Sequence, residues 1–220
     1  MIERDLRDGV LTLRIAHGRA GAMDVELLEA FGRELDAAGE ARAVVLTGTG
    51  SIFSAGVDLF RLVDGGEEYV RRFFPLLRDF VRKLFALPLP VVVAANGHAI
   101  AGGGIMIMAG DYRLLAEGNG RVGVPELLVG VPFPAAALEV VRFAVPAHRI
   151  QALVYAGKTF TPRDALAQGL VDEAVDPAAL DARAHEVAAQ LARIPVDVFR
   201  LTKQYLRGDS LERMDRLSGS

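Results

Sequence analysis

The sequence has no cysteine in 220 residues, which excludes disulfides and thiol chemistry. It has no basic run and a formal net charge of −3, which argues against a nucleic-acid binder that works by phosphate neutralisation. It also lacks an unbroken apolar run of membrane length. The longest candidate, 89–110, is interrupted by Pro90, Asn96, Gly97, His98, Gly102, Gly103 and Gly104, unlike a spanning helix of ~20 apolar residues. The first residues, Met1-Ile2-Glu3-Arg4-Asp5, are charged and carry no apolar signal-peptide core. A soluble, cytoplasmic chain is expected, with no nucleic-acid or membrane partner. No metal site is predicted.

What the chain does have is core: 51% of its residues are hydrophobic, enough for one large domain or two small ones. No linker and no clear internal repeat appears, so 1–220 is read as a single domain. Its organising stretch is Gly97-His98-Ala99-Ile100-Ala101-Gly102-Gly103-Gly104-Ile105. A valine-rich run precedes it and Met106-Ile107-Met108-Ala109 follows, which predicts buried strand, tight turn, buried helix. Bare glycine N–H groups at a helix start form a place for an anion or a developing negative charge. Equally, the glycines allow a helix to pack closely on a sheet. The run alone does not decide between the two.

In chain order, residues 2–6 and 10–15 flank Asp8-Gly9, a hairpin signal. Asp24 is placed to cap a helix in which Leu27, Leu28, Phe31 and Leu35 recur at helical spacing. Residues 43–47 are a short buried strand. Gly48-Thr49-Gly50-Ser51-Ile52-Phe53 starts like a dinucleotide fingerprint but has Phe53 at the third glycine position. It is read instead as a loop turning on Ala55-Gly56, with Val57 presenting a backbone N–H and Asp58 capping the next helix. That helix is predicted from Tyr69 to the stop at Pro88 and Pro90. Asp64-Gly65-Gly66-Glu67-Glu68 reads as a polar loop at a pocket edge.

A strand is expected over 111–116. Glu126 follows Pro125 among apolar residues, so its carboxylate is either an early-helix residue favoured by the dipole or a buried base. Burial raises a carboxyl pKa, which suits proton transfer. Helices are expected over 133–144 and 147–156. Gly157-Lys158-Thr159 is not a phosphate loop, because Ala152 stands where that motif needs glycine. Thr161-Pro162 starts a helix that ends at Gly169; 170–175 is read as a strand, and 177–192 and 196–207 as helices.

Taken together, these pieces resemble the crotonase (enoyl-CoA hydratase/isomerase) superfamily. The matching segments are Val45-Leu46-Thr47-Gly48 leading to Phe53-Ser54-Ala55-Gly56-Val57-Asp58-Leu59; Asn96-Gly97-His98-Ala99-Ile100-Ala101-Gly102-Gly103-Gly104; Asp111-Tyr112-Arg113; Gly123-Val124-Pro125-Glu126-Leu127-Leu128-Val129-Gly130; and Ala165-Leu166-Ala167-Gln168-Gly169-Leu170-Val171. They stand in family order over nearly the whole chain.

The resemblance implies an α/β fold, a ββα spiral core (1–175) with a helical C-terminal part (176–220), and a homotrimer or dimer of trimers. It implies acyl-CoA thioester substrates, with coenzyme A as part of the substrate and no separate cofactor. By position it gives the oxyanion hole to the backbone N–H groups of Val57 and Gly102, proton transfer to Glu126, and the substrate pocket to Ala55, Gly56, Gly103, Ile105 and Pro125. Hydratases of the family carry a second glutamate where this chain has Ile105. The Δ3,Δ2-enoyl-CoA isomerases are similar here, with an apolar residue there and a glutamate at 126. Dehalogenases and naphthoyl-CoA synthases place an aspartate just past Gly130, where this chain has Pro132-Phe133-Pro134-Ala135. The resemblance therefore points to an isomerase, with hydratase, thioesterase or a non-catalytic acyl-CoA-binding relative as alternatives. Relatives usually run beyond Leu217-Ser218-Gly219-Ser220, so a truncated last helix is expected, without assignable adenine-site residues.

Overall fold

The computed structural model describes residues 1–217. The chain opens with a hairpin, β1 (Ile2–Arg7) and β2 (Val10–Ile15). Asp8 and Gly9 both take positive φ, 51° and 77°, the turn whose twist matches that of its strands. Next, α1 (Val25–Asp36) starts at Asp24, whose side chain accepts from the Leu27 N–H at 2.8 Å.

Three turns of a spiral follow. Each lays one strand in a large sheet, one in a small sheet, and then a helix. The first is β3 (Ala43–Gly48), β4 (Ile52–Ser54) and α2 (Leu59–Ala86). The second is β5 (Val91–Ala95), β6 (His98–Ile100) and α3 (Gly102–Ala109). The third is β7 (Tyr112–Ala116), β8 (Val122–Gly123), a 3-10 turn (Glu126–Val129) and α4 (Ala135–Ala144). Then come α5 (Ala147–Ala156), β9 (Thr159–Phe160), α6 (Pro162–Ala167), β10 (Glu173–Val175), α7 (Leu180–Leu191) and α8 (Val196–Leu217).

The large sheet runs β1-β2-β3-β5-β7-β10 and the small one β4-β6-β8-β9. Apart from the first hairpin, every pairing in the large sheet is parallel. Parallel strands are covered on both faces, and alternation along them divides the core. Val44, Leu46, Val91, Val93 and Ala95 face the spiral interior. Val45, Val92 and Ala94 face α7 through Ala184, Val187 and Ala188. Among the described residues no helix is long and apolar enough to cross a membrane.

Four expectations change. The segment 64–68 is not a loop: α2 begins at Leu59 and passes through it, kinked where Gly66 takes φ 61°, ψ −159°. Only a residue without Cβ adopts that backbone cheaply. Strands β4 and β6 form where a loop and a tight turn were expected, because each is only three residues long and is defined by its pairing with a neighbour. The strand expected over 170–175 is only β10, since Leu170 turns back to donate to the Ala165 carbonyl at 2.9 Å. Finally, α8 continues past Arg207 and Gly208. One glycine costs a helix ~1 kcal/mol, and the anchors around it exceed that. The Lys203 ammonium donates to Asp111 Oδ2 at 2.6 Å and to the Leu89 carbonyl at 3.1 Å. Burial pulls the Lys203 pKa down to about 8, against the pull of the Asp111 carboxylate. Arg207 donates to the carbonyls of Phe85 and Ala109 and pairs with Asp111. The chain end named above, Ser218 to Ser220, lies outside the described residues.

Candidate active site

Where the spiral meets the helices lies a cavity of about 460 Å³. One wall comes from the β4–α2 loop (Ala55, Val57) and the start of α3 (Ala101, Gly102, Ile105); another comes from Pro125 and Glu126. Two residues expected at the pocket, Gly56 and Gly103, do not line it. They allow its walls to meet. A Cβ on Gly56 would stand 2.8 Å from the Ile100 carbonyl oxygen and 2.9 Å from the Gly102 nitrogen, and Gly56 has φ 82°. A Cβ on Gly103 would fall on the Ser54 carbonyl. The glycines at 103 and 104 thus serve close packing, while Gly102 opens on the cavity.

The Val57 and Gly102 N–H groups share one property. Val57 bridges Met23 in parallel: Met23 N–H donates to the Gly56 carbonyl at 2.7 Å, and Asp58 N–H donates to the Met23 carbonyl at 3.0 Å. Both bonds skip Val57, whose own N–H turns away from Met23. Gly102 is the first residue of α3, so its N–H has no acceptor within the helix. Among the described residues neither N–H has a protein acceptor. Just before Gly102, Ala101 holds φ 52°, ψ −120°, a strained backbone for alanine. It is pinned by Ala101 N–H to Gly123 O at 2.8 Å and Ile105 N–H to Ala101 O at 3.0 Å.

Among the described residues, Glu126 is the only carboxylate lining the cavity. It begins the 3-10 turn after Pro125, and its carbonyl accepts from Val131 N–H at 3.0 Å. The side chain is 8% exposed, and among the described residues its buried Oε2 has no hydrogen-bond partner. Desolvation lifts its pKa from an ordinary 4.5 to about 7, with a small opposing pull from its own backbone amide. Glu126 thus both opens a helical turn and is buried. Beside it, Ile105 is 2% exposed and lines the cavity. The remaining wall was not expected to be pocket: Phe74, Leu77 and Val81 of α2, Ala135 and Ala136 of α4, and Leu217 at the end of α8. The helical spacing of Leu77 and Val81 reads equally as core.

Holding an acid of pKa about 7 here destabilises the fold at neutral pH. Between 4.5 and about 7 the folded chain keeps a proton that the unfolded chain has released. The stability contribution is therefore full below 4.5 and is lost as pH rises through 7, a difference of about 3 kcal/mol. Glu126→Gln carries no such charge. Its stability relative to the parent is expected to be about 2–3 kcal/mol higher at pH 8 than at pH 4.5, read by urea unfolding. Equal offsets at the two pH values would mean the carboxyl titrates normally.

The family model for enoyl-CoA hydratase/isomerase matches residues 17–216. The chain belongs to this family. Among curated relatives, it is 36% identical over 189 residues to a putative enoyl-CoA hydratase of Thermus thermophilus, covering 84% of this chain and 73% of that one. It is 26% identical over 212 residues to the mitochondrial enoyl-CoA delta isomerase 1 of Rattus norvegicus, covering 94% and 73%. Among solved structures, a probable enoyl-CoA hydratase from Mycobacterium tuberculosis superposes with a TM-score of 0.93 at 28% identity, over 99% of this chain and 93% of that one. The spiral is thus the crotonase fold, and the protein is an enzyme of the enoyl-CoA hydratase/isomerase family. Among the described residues no cluster of three His, Cys, Asp or Glu could hold a metal ion.

Proposed function

We propose that the protein is a Δ3,Δ2-enoyl-CoA isomerase acting on acyl-CoA thioesters, with Glu126 as its single proton shuttle. The observation that carries this reading is one unpaired, buried carboxylate in a cavity otherwise nearly without charge. Its pKa of about 7 lets it both take and return a proton at neutral pH.

The steps balance as follows. The Glu126 carboxylate removes a proton from C2 of a 3-enoyl thioester. The C–H electrons form a C1–C2 double bond, and the thioester oxygen becomes negative. The N–H groups of Val57 and Gly102 stabilise that oxyanion; their loops are adjacent and both groups lack protein acceptors. The carboxylic acid then gives the proton to C4, the C3–C4 electrons forming that bond. The oxygen's charge collapses to restore C=O and leaves the double bond at C2–C3. Hydration instead needs water to be held beside C3, and Ile105 offers it no hydrogen bond.

Assaying both reactions on the purified enzyme tests this. Isomerisation of a 3-enoyl-CoA should exceed hydration of the matching 2-enoyl-CoA in kcat/KM. Faster hydration, the activity in the name of the Thermus thermophilus relative, would overturn the isomerase reading. Ile105→Glu supplies a second carboxylate, and the two acids raise each other's pKa. This variant is expected to gain measurable 2-enoyl-CoA hydration, followed by loss of 2-enoyl absorbance. Assembly as a homotrimer or dimer of trimers belongs to the same proposal. Leu127, Leu128 and Val129, exposed by 39%, 65% and 59% beside the site, fit an interface between copies.

A further inference from the structure

The cavity is larger than the reaction needs. Taking a methylene as roughly the size of a water molecule, about 30 Å³, a four-carbon acyl group fills about a quarter of it. The remaining wall is apolar apart from the half-buried Arg78 of α2. Beyond Ile105 it is made by Leu77 and Val81, 7% and 6% exposed, and by Ala136 and Ala137, 6% and 5% exposed. On α4, Ala135 to Ala137 are three methyl-sized side chains in a row. Any larger residue there would take up the space between α4 and α2.

The lining is exposed at several places. Leu59, 44% exposed, stands on the turn that follows Val57. Phe74, 40% exposed, and Leu217 of α8, 46% exposed, stand farther on. Phe74 is eight residues past the kink at Gly66, about 12 Å along the axis. Leu77, Val81, Ala136 and Ala137 are buried parts of the lining, while Ala55, Pro75 and Val129 are exposed on it as well. The cavity therefore has, beyond Glu126 and Ile105, an apolar wall of α2 and α4 with Phe74 at an exposed edge.

We infer that this wall takes the acyl tail and suits the enzyme to chains of eight or more carbons, with Ala135 and Ala136 setting the room available. The inference rests on the proposed acyl-CoA function. Each methylene buried against such a wall is worth a factor of about 4 in affinity.

Calorimetric titration with butanoyl-, octanoyl- and dodecanoyl-CoA tests it without turnover, since saturated thioesters have no double bond to move. Octanoyl-CoA is expected to bind at least tenfold more tightly than butanoyl-CoA, and dodecanoyl-CoA at least as tightly as octanoyl-CoA. Ala135→Leu, at a half-buried position, and Ala136→Leu should each weaken dodecanoyl-CoA at least tenfold while butanoyl-CoA stays within about threefold. Phe74→Ala, at the exposed end, should weaken only dodecanoyl-CoA and does not threaten the core. Equal affinity for all three ligands, or variants with an unchanged length profile, would overturn the inference. Failure of the folded protein to bind any of the three would instead refute the acyl-CoA reading on which it rests.

Discussion

Glu126→Gln should lower the isomerisation rate by a factor of ~10²–10⁴, the usual loss when a general base is removed. Acyl-CoA affinity should stay within a few-fold, because the proposed contacts to the thioester oxygen are main-chain. Glutamine keeps the shape of the side chain, and Oε2 has no hydrogen bond to lose. The effect therefore belongs to kcat. In the parent enzyme the same residue gives a pH profile. The carboxyl must be ionised to take a proton, and burial places its pKa at about 7, so kcat/KM should fall about tenfold per pH unit below that value. Unchanged activity in Glu126→Gln would reduce the residue to a structural part of the Pro125–Glu126 turn.

Gly102→Pro should lower kcat by ~10²–10³, the loss measured when one oxyanion donor is removed. Proline is tolerated at the first position of a helix, and Gly102 has neither a positive φ nor a hydrogen bond from its N–H. Gly102→Ala is the control. Its Cβ is crowded by the Met23 thioether, at 2.9 Å from Sδ, the movable end of a flexible side chain, and is in ordinary contact with the Gly56 Cα at 3.5 Å; the N–H stays. Alanine should keep activity within about tenfold. Comparable losses in the two variants would mean that the space at Gly102 matters and its N–H does not.

Much of this arrangement could be read from residues whose conformation is decided locally. Asp8-Gly9 specifies its turn, and Asp24, Asp58 and Thr161 specify helix starts, because a cap or a tight turn is satisfied by its immediate neighbours. Glu126 could be singled out as a carboxylate in an apolar run. Features decided by distant parts of the chain were not legible. Gly66 signals a break, but whether it gives a loop or a kink depends on Tyr69, Phe73 and Leu77 packing on the core. Gly208 signals a stop, yet α8 continues because Lys203 and Arg207 reach Asp111, roughly a hundred residues earlier in the chain. The outer cavity wall shares this character. Leu77 and Val81 have the spacing of core residues, and only the small side chains of Ala135 and Ala136 opposite leave space beside them.

The central claim is that one carboxylate carries the proton from C2 to C4. A 3-enoyl-CoA deuterated at C2, turned over in ordinary water, tests it most directly. The account predicts 2-enoyl-CoA with deuterium at C4, because the buried Glu126 exchanges slowly with solvent inside the apolar cavity. Product whose new C4 hydrogen comes only from water would contradict it, since the hydrogen removed from C2 would then not be the one returned at C4.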